Sequence, residues 1–463
     1  MNALDGILNP RSVAVIGASR RRGSVGRGVM KSLLTGCVFK TRLCKPFSGR
    51  VYAINPNAKK ILGRRCHASL LDVRGNVDLA VICVPAKIVP SVIKDCAKKQ
   101  VKGAIIISAG FAEIGKSGEE LQDKVIKIAK KTNIRLVGPN CLGIIRPPIN
   151  LNASFGPSMP PRGEIAFISQ SGALADSIID WSIEERYGFS LIVSYGNQAD
   201  LELSDFMEWC EKDKHTKAIT LYIEGIKDGR KFMKIAKKMT KPIIAIKSGR
   251  TEAGTKAVSS HTGSLAGSFE IYKSAFKQSD VILVDTVEEL FDVAKAVATQ
   301  PPCKKNNIAI ITNGGGCGVL AADYCEMLGV RLAKLTRKTI QKLEGSGKMH
   351  PAYSRRNPLD IVGDALPERY EVAINTLLEQ KNVHGLIVIQ TLQTMTGSEK
   401  DAKIVIKARK KFPDKPIVCT YMGGKFSRKG IKLLEKHRIP DFNDPYKSVM
   451  VMKSLIDRGE KFN

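Results

Sequence analysis

Aromatic residues are scarce in this sequence: Phe, Trp and Tyr make up 6% of 463 residues, with only two tryptophans. So few ring faces argue against a protein that stacks successive bases of a single strand. No apolar run approaches the ~18 residues a membrane-crossing helix needs; Gly103-Ala-Ile-Ile-Ile-Ser108 is of strand size. Acidic charge is short too, with 44 Asp+Glu against 74 Lys+Arg and a net charge of +30. The 11 cysteines are odd in number and scattered, with no Cys-x-x-Cys pair and no Cys/His cluster at zinc-ligand spacing. No bound metal is expected, and the cysteine usage is that of a reducing compartment. Met1 to Pro10 carries Asp5 and no apolar core, so neither a signal nor a transit peptide is expected, and the expected location is the cytoplasm.

With 43% hydrophobic and 25% charged residues, the chain has the composition of a folded globular protein and the length of about three domains. The positive excess sits at the ends: residues 1–150 hold 27 basic and 8 acidic residues, whereas 151–300 hold 18 and 20. An anionic ligand of the first domain and a solvated lysine-rich surface both fit that bias.

Short β-rich runs alternate with longer amphipathic stretches almost throughout, the pattern of α/β domains with buried parallel sheets. Ser12–Ile16, Arg50–Ile54, Leu79–Val84, Gly103–Ile107 and Arg135–Val137 form a first series. A second begins at Glu164–Ile168 and a third at Asn307–Ile311. Pro/Gly-rich breaks near Pro147–Gly163 and at Gln300–Lys305 suggest domains over 1–147, 148–300 and 301–463.

The first strand leads into Gly17-Ala18-Ser19-Arg20-Arg-Arg-Gly23-Ser-Val25-Gly26, a glycine-rich turn opening a helix. Such a turn presents backbone amides and the positive helix end to a phosphate. The spacing is not Gly-x-Gly-x-x-Gly, and the second strand ends at Asn55, where a dinucleotide site would place Asp or Glu. Arg20, Arg21, Arg22 and Arg27 favour a more highly phosphorylated adenine nucleotide, such as coenzyme A, over NAD. Two later turns have the same form, Gln170-Ser171-Gly172-Ala173 and Asn313-Gly314-Gly315-Gly316. Either alone is compatible with an empty α/β turn; the pair suggests a phosphate held between helix ends. Between them, His261 stands in a Gly/Ser/Thr-rich segment expected to be mobile, as a phosphohistidine carrier requires. Glu224 ends a strand at the ligand-binding edge of its sheet, where it could orient a histidine or pair with Lys227 or Arg230.

These motifs, together with Cys83-Val84-Pro85, Ser108-Ala109-Gly110-Phe-Ala-Glu113, Gly138-Pro-Asn140-Cys141-Leu-Gly and Ser259-Ser-His-Thr-Gly-Ser264, occur in an order that resembles the α subunit of the NDP-forming acyl-CoA synthetases. That family includes ADP-forming acetate–CoA ligase and belongs to the succinyl-CoA synthetase superfamily. The resemblance implies a Rossmann-like CoA-binding domain followed by two flavodoxin-like, succinyl-CoA synthetase-like domains. It implies that acyl-CoA and phosphate give an acyl phosphate, whose phosphoryl group passes through His261, supported by Glu224, to ADP. Val84, Pro85, Ser108, Ala109 and Gly110 would then line the CoA site, and Asn140 and Cys141 the thioester. No region resembles an ATP-grasp nucleotide domain, so ADP/ATP and magnesium are expected on a separate β subunit, in an α2β2 assembly without a membrane or a specific nucleic acid. The competing readings are a non-catalytic sensor of CoA or NAD, which leaves His261 and two turns idle, and a basic nucleic-acid-binding protein, which only the charge favours.

Overall fold

The computed structural model describes residues 3–262 and 268–461, without the side chains of residues 3, 259–262 and 461. Two compact units divide the chain, Met1–Leu290 and Phe291–Asn463.

The first unit contains two seven-stranded sheets. One comprises β1 (Ser12–Ile16), β2 (Arg50–Ile54), β3 (Lys60–Ile61), β4 (Arg64–His67), β5 (Leu79–Ile82), β6 (Gly103–Ile106) and β7 (Arg135–Val137), in the order β3-β4-β2-β1-β5-β6-β7. All its pairings are parallel except β3 with β4. Every residue of β1, β5 and β6 is buried, which is why these strands read as unbroken apolar runs. The chain winds outward from β1 in both directions, leaving a crevice at the carboxyl ends of β1, β2 and β5.

The other sheet comprises β8 (Gly143–Arg146), β9 (Leu151–Ser154), β10 (Arg162–Ser169), β11 (Phe189–Ser194), β12 (Ala218–Ile223), β13 (Ile243–Lys247) and β14 (Val281–Leu283). Its order is β14-β13-β12-β10-β11-β8-β9, with the antiparallel hairpin β8–β9 appended to β11. The expected division at 147/148 therefore falls inside this hairpin. Sequence cannot show this, because two four-residue strands around Pro147-Pro148 carry no periodicity of their own.

One continuous apolar core runs through both sheets, from Leu4 to Val281. A buried polar cluster ties them as well. Arg146 forms a bidentate pair with Asp213 (2.9 and 3.2 Å), donates to Asn9 Oδ1 (2.9 Å) and lies 4.6 Å over the Trp209 ring, whose Nε1 donates to Asp5 (2.9 Å). Asp200 accepts from the Leu136 amide (2.8 Å) and from Arg135 Nε (2.9 Å).

The second unit holds one parallel five-stranded sheet, β15 (Ile308–Thr312), β16 (Leu359–Asp360), β17 (Gly385–Thr391), β18 (Ile417–Met422) and β19 (Asp441–Phe442), in the order β16-β15-β17-β18-β19. Cys37 and Cys44 are joined as a disulfide, with Cα atoms 5.6 Å apart, a pairing that the expectation of a reducing compartment did not include. Seven-residue spacing within a loop gives no sequence sign of it.

Candidate active site

The turn after β1 is built on two glycines. Gly17 has φ of +90°, and a Cβ there would lie 2.7 Å from the Cys83 carbonyl oxygen. A Cβ on Gly26 would lie 2.0 Å from the Gly17 carbonyl oxygen, so the helix Val25–Thr35 starts directly against the turn. Asn55, directly after β2, fastens the same turn by donating to the Ala18 carbonyl (2.7 Å). Ser24 directs its hydroxyl to the Arg21 carbonyl (2.8 Å) and does not cap the helix start with it.

A cavity of about 1450 Å³ opens from this turn, beyond the ~300–1,000 Å³ of a drug-sized site. It runs past the carboxyl ends of both sheets of the first unit to the start of the helix Gly172–Glu185, and Glu224 lies on its wall. Most of the expected residues meet there. Gly17, Ser19, Gly23, Val25, Gly26 and Asn55 line one end; Val84, Pro85, Ser108 and Ala109 the middle; Asn140, Cys141 and Gln170–Ala173 the other end. Ala18, Arg20 and Gly110 are not on its wall, and Arg21 is the arginine that faces it. Arg20 instead accepts on its carbonyl from Arg27 Nη1 (2.9 Å).

At the far end the phosphate-type turn is internally braced. Ser169 Oγ donates to the Ser171 carbonyl (2.8 Å), and Ser171 Oγ caps the helix by accepting from the Leu174 amide (3.2 Å). Gln170 reaches sideways, its Oε1 accepting from the amides of Glu224 and Gly225, the latter at 2.9 Å. One side chain thus fixes the turn and the carboxylate-bearing end of β12 relative to each other. Lys227 donates to the carbonyls of Gln198 (2.7 Å) and Asn197 (3.3 Å).

Several polar groups at or beside the site have a character that motif reading does not give. Glu113 accepts from Asn197 Nδ2 and the Gly110 amide (both 2.6 Å) and from the Phe111 amide (3.2 Å). Burial works to raise its carboxyl, but these hydrogen bonds outweigh it and hold it below the usual range. Lys247, fully buried, lies 4.6 Å over the Tyr272 ring; burial pushes its ammonium down against the opposing pull of Glu224. Burial raises the Cys83 thiol to about 12 and the Cys141 thiol further, so neither supplies a thiolate near neutrality. Asp176, one turn into the Gly172–Glu185 helix, also faces the cavity. Its spacing of four from Gly172 is the one signal by which it could have been found. Among the described residues no group of His, Cys, Asp and Glu is placed to hold a metal.

His261 falls in the last turn of the helix Glu252–Thr262, and its side chain lies outside the described residues. The expected mobile segment thus begins in a helix, and its residues 263–267 lie outside the described residues. Thr251 starts it, accepting on Oγ1 from the Gly254 amide (3.1 Å) and on its carbonyl from the Thr255 amide (2.8 Å). Such a cap organises a run that composition alone reads as loop.

In the second unit the turn after β15 leads into the helix Gly315–Met327. Asn313 is buried and spent on β17: its Oδ1 accepts from the Thr391 amide (2.7 Å) and its Nδ2 donates to the Thr391 carbonyl (3.0 Å). A Cβ on Gly314 would meet Thr391 at 2.7 Å and one on Gly315 would meet Asp360 at 2.8 Å, whereas Gly316 is open.

Three family models cover the chain: a CoA binding domain over 11–147, a succinyl-CoA ligase like flavodoxin domain over 162–297 and a Ligase-CoA domain over 308–456. The α subunit of acetate–CoA ligase [ADP-forming] II from Pyrococcus furiosus is 41% identical over 99% of this chain and 98% of its own length. The chain belongs to the ADP-forming acetate–CoA ligase family. Another member, acetate–CoA ligase [ADP-forming] I of Archaeoglobus fulgidus, is 44% identical, and this chain spans 64% of its length. The solved dinucleotide-forming acetyl-coenzyme A synthetase 1 of Candidatus Korarchaeum cryptofilum, in complex with phosphate and ADP, superposes with a TM-score of 0.91 at 37% identity, covering 99% of this chain and 97% of that one. Within this ligase family, the first-unit cavity falls on the matched CoA-binding and flavodoxin-like domains.

Proposed function

We propose that this chain is the acyl-transferring, α-type part of an ADP-forming acyl-CoA ligase, with a CoA-binding module whose end at 147 lies within the β8–β9 hairpin, a phosphohistidine module continuing to 300 and a third module over 301–463. The observation that carries this reading is the single cavity joining the Gly17–Gly26 turn to the Gln170–Ala173 turn, with Glu224 on its wall. CoA lies along it with its phosphates at the first turn and its thioester beside Asn140 and Cys141. Inorganic phosphate sits at the second turn, where amides at a helix start favour an anion. A phosphate oxygen attacks the thioester carbonyl and CoA leaves as the thiol, giving an acyl phosphate. The neutral imidazole of His261 then takes the phosphoryl group and releases the acid, with Glu224 holding the ring and its tautomer. The turn at 313–316 is a second turn of the kind that offers helix-start amides to a phosphate, with Asn313 locking its backbone through Thr391. ADP and magnesium bind a partner carrying an ATP-grasp region, in an α2β2 assembly. The P. furiosus relatives named as α subunits support such a partner, and the relatives of which this chain spans less than two thirds are consistent with the two parts joined in one chain. No helix among the described residues is long and apolar enough to cross a membrane, which is consistent with a cytoplasmic enzyme.

Incubation with acetyl-CoA and labelled phosphate tests this directly. Acid-labile, base-stable label on the chain is expected, and none on His261→Ala. Histidine phosphorylation persisting in that variant would place the carrier elsewhere.

A further inference from the structure

Asp95, Glu113 and Asp176 are carboxyls on the cavity wall to which the chemistry above gives no task, and Asp176 is the one on the helix that starts at the phosphate-type turn. Its Oδ1 is buried and has no hydrogen-bond partner among the described residues. A Cβ on Gly156 would lie 3.0 Å from that oxygen, 3.2 Å from Ser154 Oγ and 3.2 Å from Ile179 Cδ1, so the carboxyl sits against the end of β9. β9 in turn pairs Ser154 with Gly143, and Leu142 lies 3.6 Å from the Cβ position of Gly172. These contacts place Asp176 beside the 140–143 wall, on the helix face that begins at the phosphate-type turn. That is the corner where a thioester carbonyl and an incoming phosphate must meet.

We propose that Asp176 carries the proton of the CoA thiol during acyl exchange between CoA and phosphate. This assignment rests on the activity proposed above. Toward thioester, the thiol gives its proton to the Asp176 carboxylate while sulfur bonds to the carbonyl carbon of the acyl phosphate; the carbon–oxygen bond to phosphate breaks and its electron pair leaves on phosphate. In reverse, a phosphate oxygen bonds to the carbonyl carbon, and protonated Asp176 returns the proton to the departing sulfur.

The other ionisable groups on the wall are unsuited to this. Cys83 and Cys141 are driven away from neutrality, Glu113 is committed to Asn197 and two amides, and Glu224 belongs to the phosphoryl step. Asp95 stands on the helix Val89–Lys98 of the first sheet, toward the nucleotide end. Burial lifts the Asp176 carboxyl to about 6, into the range where a group both takes and returns a proton near neutrality. Ser154, Gly156 and Ile179, the groups against it, do not ionise. The charged residues of the neighbouring elements, Asp180 on its own helix and Arg27 and Lys31 on the Val25–Thr35 helix, contribute nothing to the shift, whose one cause is burial.

The test needs no nucleotide: acetyl-CoA formation from acetyl phosphate and CoA is followed across pH for wild type, Asp176→Asn and Asp176→Glu, with CoA binding measured by calorimetry. Asp176→Asn should bind CoA as wild type does yet form thioester ~10²-fold more slowly near neutrality. The gap should close as pH falls below about 6, where wild type loses its carboxylate. Asp176→Glu should recover part of the rate together with its pH dependence. A rate deficit that is constant with pH, or no deficit, overturns the role of Asp176 while leaving the ligase reading intact. A wild-type chain that neither binds CoA nor uses acetyl phosphate overturns the ligase reading, and the role of Asp176 with it.

Discussion

The closest backbone approach in the site is between Gly26 and Gly17, and it makes Gly26→Ala the sharpest probe of how the first turn works. The added Cβ would lie 2.0 Å from the Gly17 carbonyl oxygen and 3.0 Å from its carbonyl carbon, where real Cβ contacts essentially never fall below 3.0 Å. Both obstacles are backbone, so no side chain can swing aside; turn and helix must separate by about 1 Å. Amides aimed at a phosphate lose their geometry with such a shift. Losing about two charge-assisted hydrogen bonds, each worth roughly 1.5–3 kcal/mol, corresponds to ~10²-fold or more in affinity for CoA. The overpacking itself should cost about 1–3 kcal/mol of stability. Calorimetric titration with CoA, run beside thermal unfolding, separates the two effects. Gly23→Ala is the control: its φ of +76° makes any side chain unfavourable by roughly 1–2 kcal/mol, yet nothing lies within 4 Å of the new Cβ, so the turn keeps its place. The reasoning fails if Gly26→Ala binds CoA as tightly as wild type does, for then the phosphates do not rest on this turn.

Glu224→Gln should leave CoA binding intact and slow phosphoryl transfer ~10²-fold, measured as the rate of label appearing on the chain; an undiminished rate would return Glu224 to a structural role. Arg146→Ala leaves Asp213 as a buried, unpaired carboxylate and should cost about 3–5 kcal/mol in denaturant unfolding. Burial alone would raise the Asp213 carboxyl, but the Arg146 hydrogen bonds and charge hold it below the usual range. The pair therefore stabilises the fold above the ordinary carboxyl pKa and is lost as pH falls through the lower folded value. The melting-temperature gap between wild type and Asp213→Asn should narrow in acid, and a gap that widened there would contradict the pairing.

The central parallel strands are legible in the sequence because they are buried on both faces. β1, β5, β6, β15 and β17 read as largely apolar runs of strand length. The edge elements are not legible: β3, β16 and β19 are two residues long, and β8 and β9 hide around a Pro-Pro step. The same split holds at the site. Gly17, Gly26 and Gly172 follow strands at spacings that chain geometry dictates, so their turns can be seen. Asp176 and Lys247 acquire their character from burial, and Glu113 from what it accepts, none of which a linear string displays. The helix over Glu252–Thr262 escapes notice for the opposite reason: a Thr251 cap overrides a composition that points to loop.

The β8–β9 hairpin has a bearing on how this protein could be divided or recombined. A cut near residue 147 splits the hairpin in mid-turn, strips β11 of its neighbour and leaves Asn152, which donates to the Gly36 carbonyl (3.1 Å), on the wrong side of the break. It also removes Asp200 from the end of β7 and Trp209 from Asp5. A fragment ending there would expose raw strand edge and half of a shared apolar core, both invitations to aggregate. Exchange of parts between family members is therefore expected to tolerate a junction in the irregular stretch 300–307, between the helix Val287–Thr299 and β15, and to fail at the boundary between the two sheets of the first unit. The CoA-binding half and the phosphate-turn half are in this sense one piece for exchange, because they share one core.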